Sequence, residues 1–280
     1  MNLDPERVSV HGGHSGQFCS HAEDMLEDIV QAYITHGYSW VGITEHIPPE
    51  RDDLSYPEEA ALRMSAADQY ARFSDYMATC HDLREKYSSK IKIFVAFEAE
   101  AYSGYERWVP KLRKEFNPDY IVGSVHQIMD HLIDSTPEGY RAAVKAAGGL
   151  DELYCKYFDR QYEVITTLLP EVVGHFDLIR IFDPDYQSRL IKPVVWERVL
   201  RNLETIRDRE LIMDFNLAAL KKSQSEPYIS SPILEQARRM EIDVVPGDDS
   251  HGVGNIDQYW TNGIRILQDA GFELKWKYPT

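Results

Sequence analysis

Three histidines fall within eleven residues near the start of the chain, in Val10-His11-Gly12-Gly13-His14-Ser15-Gly16-Gln17-Phe18-Cys19-Ser20-His21. Neutral imidazole is the commonest metal ligand among side chains. Glycines let a backbone turn tightly enough for imidazoles close in sequence to face one centre. The alternative is a polar surface loop with incidental histidines, and ligands elsewhere in the chain decide between the two. His46, Glu98, His126, His175, Asp249 and His251 are such ligands, so nine candidates stand in all. A mononuclear zinc site needs three or four. Nine suit two or three metals, with a carboxylate such as Glu98 able to bridge a pair. Multi-metal sites of nitrogen and carboxylate donors are typical of phosphoester hydrolysis, in which the ions hold nucleophile, phosphoryl oxygens and leaving group. His36 in a helical last turn, His81 in a polar helix and His131 in a long loop read as structural.

The elements that must position these residues follow from hydrophobic periodicity. Val8 to Val10 is a short strand leading into the cluster. Glu23 to His36 reads as a helix, with Leu26, Ile29, Val30 and Ile34 at helical spacing and Gly37 placed to end it. Strands are expected at 40–44, 91–97, 119–125, 171–174, 211–215 and 242–246. Helices are expected at 65–86, 105–116 (started or interrupted at Pro110), 150–169, 194–209, 232–240 and 256–271. A connection of about twenty residues after His126 is long enough to suggest a functional loop. Seven strand–helix units without a linker imply parallel pairing and right-handed crossovers. That number in one domain, spanning 1–280, favours a closed α/β barrel over an open sheet. His11, His14, His46, Glu98, His126, His175, Asp249 and His251 each come just after a strand. In a β/α barrel those strand ends converge on the face where active sites are built.

Composition narrows the partners. Hydrophobic residues make up 43% and charged residues 27%, enough apolar material for a large core. A net charge of −16 excludes a binder of the phosphate backbone, so no nucleic-acid partner is expected. A small anionic substrate stays open, because metal ions reverse the sign inside one pocket. Cys19, Cys80 and Cys155 are odd in number and lack CxxC spacing, which fits a reducing compartment. No signal-like segment or bilayer-length apolar run is present, so a cytoplasmic protein with no membrane contact is expected. Oligomeric state is not readable.

The stretch from His11 to His21, Thr44-Glu45-His46, Glu98 in Phe-Glu-Ala-Glu, Gly123-Ser124-Val125-His126, Gly174-His175-Phe176-Asp177 and Asp249-Ser250-His251 resemble, in order, the motifs of the polymerase-and-histidinol-phosphatase (PHP) family. Two segments, His14 to Cys19 and Gly174 to Arg180, are similar to its histidinol-phosphate phosphatase branch. The resemblance implies a distorted (β/α)7 TIM-like barrel with three divalent transition-metal ions, zinc, manganese or iron. It places His11, His14, Glu98 and Asp249 on the first metal, Glu98, His126 and His175 on the second, and His21, His46 and His251 on the third. One departure stands out. The family opens with His-x-His, which would put histidine at position 12, where this chain has Gly12 and a histidine one residue earlier. Either His11 replaces the missing ligand or the first site is weakened. Replacement is favoured by the freedom of Gly12 and Gly13.

The expected reaction is phosphomonoester hydrolysis by a metal-bridging hydroxide attacking phosphorus in line. Asp249 or a metal-bound water would protonate the leaving alkoxide, with His251 as a weaker candidate. Arg180 is a candidate guanidinium fork for phosphate, with a surface salt bridge as the rival reading. Asn216 and Lys221 or Lys222 could contact the rest of the substrate, and Cys19 could pack behind the ligands. By resemblance the substrate is L-histidinol phosphate, giving L-histidinol and phosphate in histidine biosynthesis. The alternatives are a nucleotide or another small phosphate ester, or a degenerate barrel that binds without turnover.

Overall fold

A computed structural model describes residues 5–222 and 224–280. Its main sheet is built from seven parallel strands, β1 (Arg7–Gly12), β2 (Tyr38–Ile43), β3 (Lys92–Glu100), β4 (Tyr120–Ser124), β7 (Val172–Val173), β8 (Ile212–Asn216) and β9 (Asp243–Gly247), ladder-paired in that order. A separate hairpin, β5 (Gln127–Ile128) and β6 (His131–Leu132), follows β4. The seven strands are those expected from the sequence, and they curl into a nearly closed barrel ringed by helices. Among the described residues no helix is long and apolar enough to cross a membrane.

Two apolar layers explain why the strands read as nearly continuous hydrophobic runs. Val8, Val10, Phe94, Ala96, Val122, Val172, Ile212 and Val245 fill the barrel interior. Their neighbours Val41, Ile43, Ile93, Val95, Phe97, Ile121, Met213 and Phe215 pack outward against the helices. Helices at Leu26–Thr35, Ala66–Lys86, Leu150–Leu168 and Pro193–Asp208 cover this outer layer. Ser65 caps the second of these with a reciprocal capping box through Asp68. Pro110 lies inside the helix Tyr105–Phe116 rather than ending it. The last helix is shorter than its pattern suggested, Trp260–Asp269, because residues 256–259 form turns, with Asp257 left-handed at φ 65°.

Barrel closure is irregular. β1 and β9 touch but share no ladder. Side chains join them instead: Ser9 Oγ donates to Asp248 Oδ1 at 2.8 Å, and Tyr33 Oη donates to the same oxygen at 2.8 Å. Above the strands, Asp249 N donates to His11 O at 2.8 Å and His14 N to Ser250 O at 2.7 Å. Burial pushes the Asp248 carboxyl up to about 7, against the hydrogen bonds from Tyr33 and Ser9.

Candidate metal centre

β1 contains the answer to the histidine displaced from position 12. Its register with β2 pairs Ser9 with Val41 and Gly12 with Ile43, so three steps on β1 oppose two on β2. The extra residue is a β-bulge, which re-aims the side chains that follow it. Val8 and Val10 face the interior, and after the bulge His11 faces it too. Ser9 Oγ also lies 3.0 Å from His11 O, within the bulge. Gly12 is turned outward: a Cβ there would meet Tyr33 Oη at 2.7 Å and Val41 Cγ2 at 2.9 Å, both in the outer layer. A histidine at position 12 of this strand would point away from the centre. Room for His11 comes from Gly247, where a Cβ would lie 2.9 Å from His11 Cβ and overlap Asp214.

The remaining strand ends supply the rest. Glu98 Oε1 lies 3.0 Å from His175 Nε2, 3.3 Å from His126 Nε2 and 3.6 Å from His11 Nε2. His14 Nε2 lies 3.2 Å from Asp249 Oδ1. His126 Nε2 and His175 Nε2 are 3.0 Å apart. The His14 ring stacks on His46 and His251, at centroid distances of 4.4 and 4.3 Å, and His21 lies 5.1 Å from His251. All nine ligand candidates therefore reach one face. His46 stands between groups: its Nδ1 lies 2.9 Å from Glu98 Oε2 and 2.8 Å from Glu100 Oε1 without hydrogen-bond alignment.

These side chains fit a metal cluster. His11 Nε2, His14 Nε2 and His46 Nε2 are buried with no hydrogen-bond partner. A buried polar atom left so is costly unless a cation takes its lone pair. Ligand atoms gather within 4.8 Å of one another in four sets: His11, His14 and Asp249; His11, Glu98 and His175; His46, Glu98, Glu100 and His126; Cys19, His21, His46 and His251. Imidazole and carboxylate donors in such sets suit divalent transition metals. Burial raises the Glu98 carboxyl, but the charges of His126 and His11 outweigh it and hold the group well below the ordinary range. Asp249 is held down in the same way, by His11 and His14 against burial. Both are ionised, the form that binds a cation.

Outer partners fix the ligands' directions, as around metal-bound histidines generally. Asp214 Oδ2 is 2.8 Å from His11 Nδ1 and accepts from His175 N at 3.2 Å. Glu45 Oε1 accepts from Ser15 N and Oγ at 2.7 and 2.9 Å, and its Oε2 lies 3.5 Å from His14 Nδ1. Glu100 Oε1 lies 3.3 Å from His126 Nδ1 and accepts from Tyr56 Oη at 2.8 Å. Burial raises the Glu100 carboxyl, yet His46 and His126 pull it down to about 2. Asp249 holds a left-handed φ of 45°, a conformation that costs a non-glycine residue on the order of 1–3 kcal/mol. The sequence reading missed Asp214, Glu45 and Glu100 as functional residues. The available signal was an acid inside an apolar strand for Asp214, and the two-residue strand repeat from Glu98 for Glu100.

Two sequence expectations change. Arg180 is not a phosphate fork: it is fully buried, with Nε on Asp177, Nη1 on Gln224 Oε1 at 3.0 Å and Nη2 on the carbonyls of Glu226 and Pro227 at 2.7 Å. Its donors are spent tying the 224–227 segment to the loop after β7. Asn216 is not a substrate contact either. It is buried and turns Nδ2 to Asp214 Oδ2 at 3.0 Å and Asp249 Oδ2 at 3.3 Å. His251 Nδ1 sits 3.0 Å from Asp249 O, and donating there would leave the Nε2 lone pair free for a cation. Lys221 and Lys222, by contrast, do line the cleft of about 340 Å³ that opens onto the histidines. Outside the centre, His36 is part-exposed 3.5 Å from Asp257, and His81 pairs with Arg84.

Barrel and centre together define a β/α-barrel metalloprotein whose ligands come from the C-terminal ends of its strands. The model of the PHP domain matches residues 12–218, and the chain belongs to the PHP domain family. A Schizosaccharomyces pombe protein, called a probable histidinol-phosphatase, is 34% identical over 249 residues, covering 88% of this chain and 80% of its own. The histidinol-phosphatase of Saccharomyces cerevisiae is 26% identical over 294 residues, covering 93% and 88%. Among solved structures, a histidinol phosphate phosphatase from Lactococcus lactis, complexed with zinc, L-histidinol and phosphate, superposes with a TM-score of 0.69 at 20% identity. It covers 97% of this chain and 95% of that one.

Proposed function

We propose that the chain is a cytoplasmic phosphomonoesterase that hydrolyses L-histidinol phosphate to L-histidinol and phosphate, working as one domain over 1–280. The observation that carries this reading is the convergence of nine nitrogen and carboxylate ligands beneath one cleft, in a chain whose curated relatives are histidinol-phosphatases. Three divalent ions, zinc, manganese or iron, would be held as the resemblance implied: His11, His14, Glu98 and Asp249; Glu98, His126 and His175; His21, His46 and His251. When bound, such ions supply positive charge against the phosphoryl oxygens and acidify water.

The chain's own residues do the rest. Glu98 draws His11, His126 and His175 around one oxygen. Asp214, Glu45 and Glu100 hold the rings in place from outside. Asp249, unprotonated beside His11 and His14, would relay a proton through Oδ1 from the attacking water, acidified when ions are bound, to the leaving alkoxide. Asn216 Nδ2 steadies the other oxygen of that carboxylate. Lys221 and Lys222 add positive charge at the cleft for the incoming phosphate.

A substrate panel on metal-loaded protein tests the reading. Histidinol phosphate is expected to give the highest kcat/KM. Faster turnover of nucleotides would replace the substrate while keeping the chemistry. Fewer than two metals per chain, with no phosphoester cleaved, would leave the non-catalytic barrel as the better reading.

A further inference from the structure

The cleft has walls of opposite sign. Lys221 and Lys222 stand on one, beside the Asn255 side chain that Lys221 Nζ reaches. Glu58 and Asp134 stand on another, with Tyr56 and His126. Asp134 belongs to the long connection that follows His126, and that connection is built rather than loose. β5 turns back through Met129 and Asp130, both left-handed at φ 53° and 63°, and returns as β6. Ile128 pairs with His131, Ile133 N donates to His126 O at 3.0 Å, and Ile128 and Ile133 are buried. The hairpin thus fixes the backbone next to Asp134 against one of the centre's ligands.

Asp134 is partly exposed, and among the described residues its carboxylate has no hydrogen-bond or ion-pair partner. Glu98, Glu100 and Asp249, in the same centre, are all engaged with imidazoles. Asp134 lines the same cleft as Tyr56, His126 and His175. An unpaired carboxylate here repels a phosphate dianion on its way to the metals. It helps only a substrate that carries a positive group at its other end.

We propose that Asp134 is a specificity residue, which receives the cationic end of a small phosphomonoester, an ammonium or imidazolium, while the phosphate lies at the histidine cluster. The inference rests on the phosphomonoesterase reading and adds to it the class of leaving group. Charge-assisted hydrogen bonds contribute about 1.5–3 kcal/mol, which corresponds to about 10- to 100-fold in kcat/KM.

The test compares Asp134→Asn and Asp134→Glu with the native protein, all loaded with zinc. Asp134→Asn is expected to lower kcat/KM for histidinol phosphate about 10- to 100-fold, mainly through KM. Phenyl phosphate turnover should hold or rise, because the repulsion is removed, metal content should not change, and Asp134→Glu should recover part of the loss on histidinol phosphate. Equal losses on both esters, or none on histidinol phosphate, overturn the inference. If the native protein cleaves phenyl phosphate but not histidinol phosphate, the proposed substrate falls by itself. Phosphoethanolamine against glycerol phosphate then decides: a loss confined to the cationic ester supports the role of Asp134, and no such difference ends it. A native protein that cleaves none of these esters removes the phosphomonoesterase reading and this inference together.

Discussion

Asp214 makes no direct claim on a metal, yet it holds His11 by one oxygen and the backbone N–H of His175 by the same oxygen. Losing an outer partner of a ligating histidine typically costs 10- to 100-fold in metal affinity or activity. Asp214→Asn should therefore weaken metal binding by about that factor, measured by competition with a chromophoric chelator. Unchanged affinity would mean that packing alone orients His11. At this scale the sequence was legible where a residue's position along a strand determines its role. His126, His175 and Asp249 are placed by following a strand, and the barrel brings them together. Arg180 and Asn216 were misjudged because sequence spacing carries no depth: both were near the right loops but lie beneath them.

The bulge in β1 shows how one added residue changes which side chains face inward. Period-two alternation from Val8 and Val10 puts position 12 inside, and the bulge moves that place to His11. Nothing in Val8-Ser9-Val10-His11-Gly12 announces a bulge, since alternation and glycine are both compatible with a regular strand. The clasp, Ser9 to Asp248, joins residues 239 positions apart and is invisible to any local reading. Gly12→Ala would press a methyl group into Tyr33, Val41 and the Gly42 carbonyl. Overpacking of this kind costs about 1–3 kcal/mol. Urea unfolding should show that loss with metal content retained, because the methyl points away from the ligands. A neutral Gly12→Ala would mean that the outer layer is looser than its contacts indicate. The seven strands themselves were legible because each is a dense apolar run with a polar residue at its end. The hairpin β5–β6 was seen only as a long connection, since each of its strands is two residues long.

For the molecule as a whole, metal ligands from six strand ends converge on one point, so the ions would tie the sheet together as well as act on substrate. A ligand at 100 times its Kd stabilises the folded state by about 2.7 kcal/mol. For a protein of 280 residues that is worth about 5 °C in Tm for one such site. Chelation should lower Tm by that amount or more, and zinc should restore it, as followed by scanning calorimetry. An unchanged Tm would mean that the protein binds its ions too weakly for them to matter to the fold.

The closure between β1 and β9 has a consequence for how the chain is made. Synthesis delivers β1 first and β9 last, and folding generally slows as contacts join residues far apart in sequence. His11 and His14 stay without Asp249 and His251 until those residues emerge more than 230 positions later. No partial chain can complete the first metal group, because Asp249 belongs to it. A truncated product therefore holds metal at that place with one ligand fewer, and full-affinity loading of that group reports that the final strand has docked.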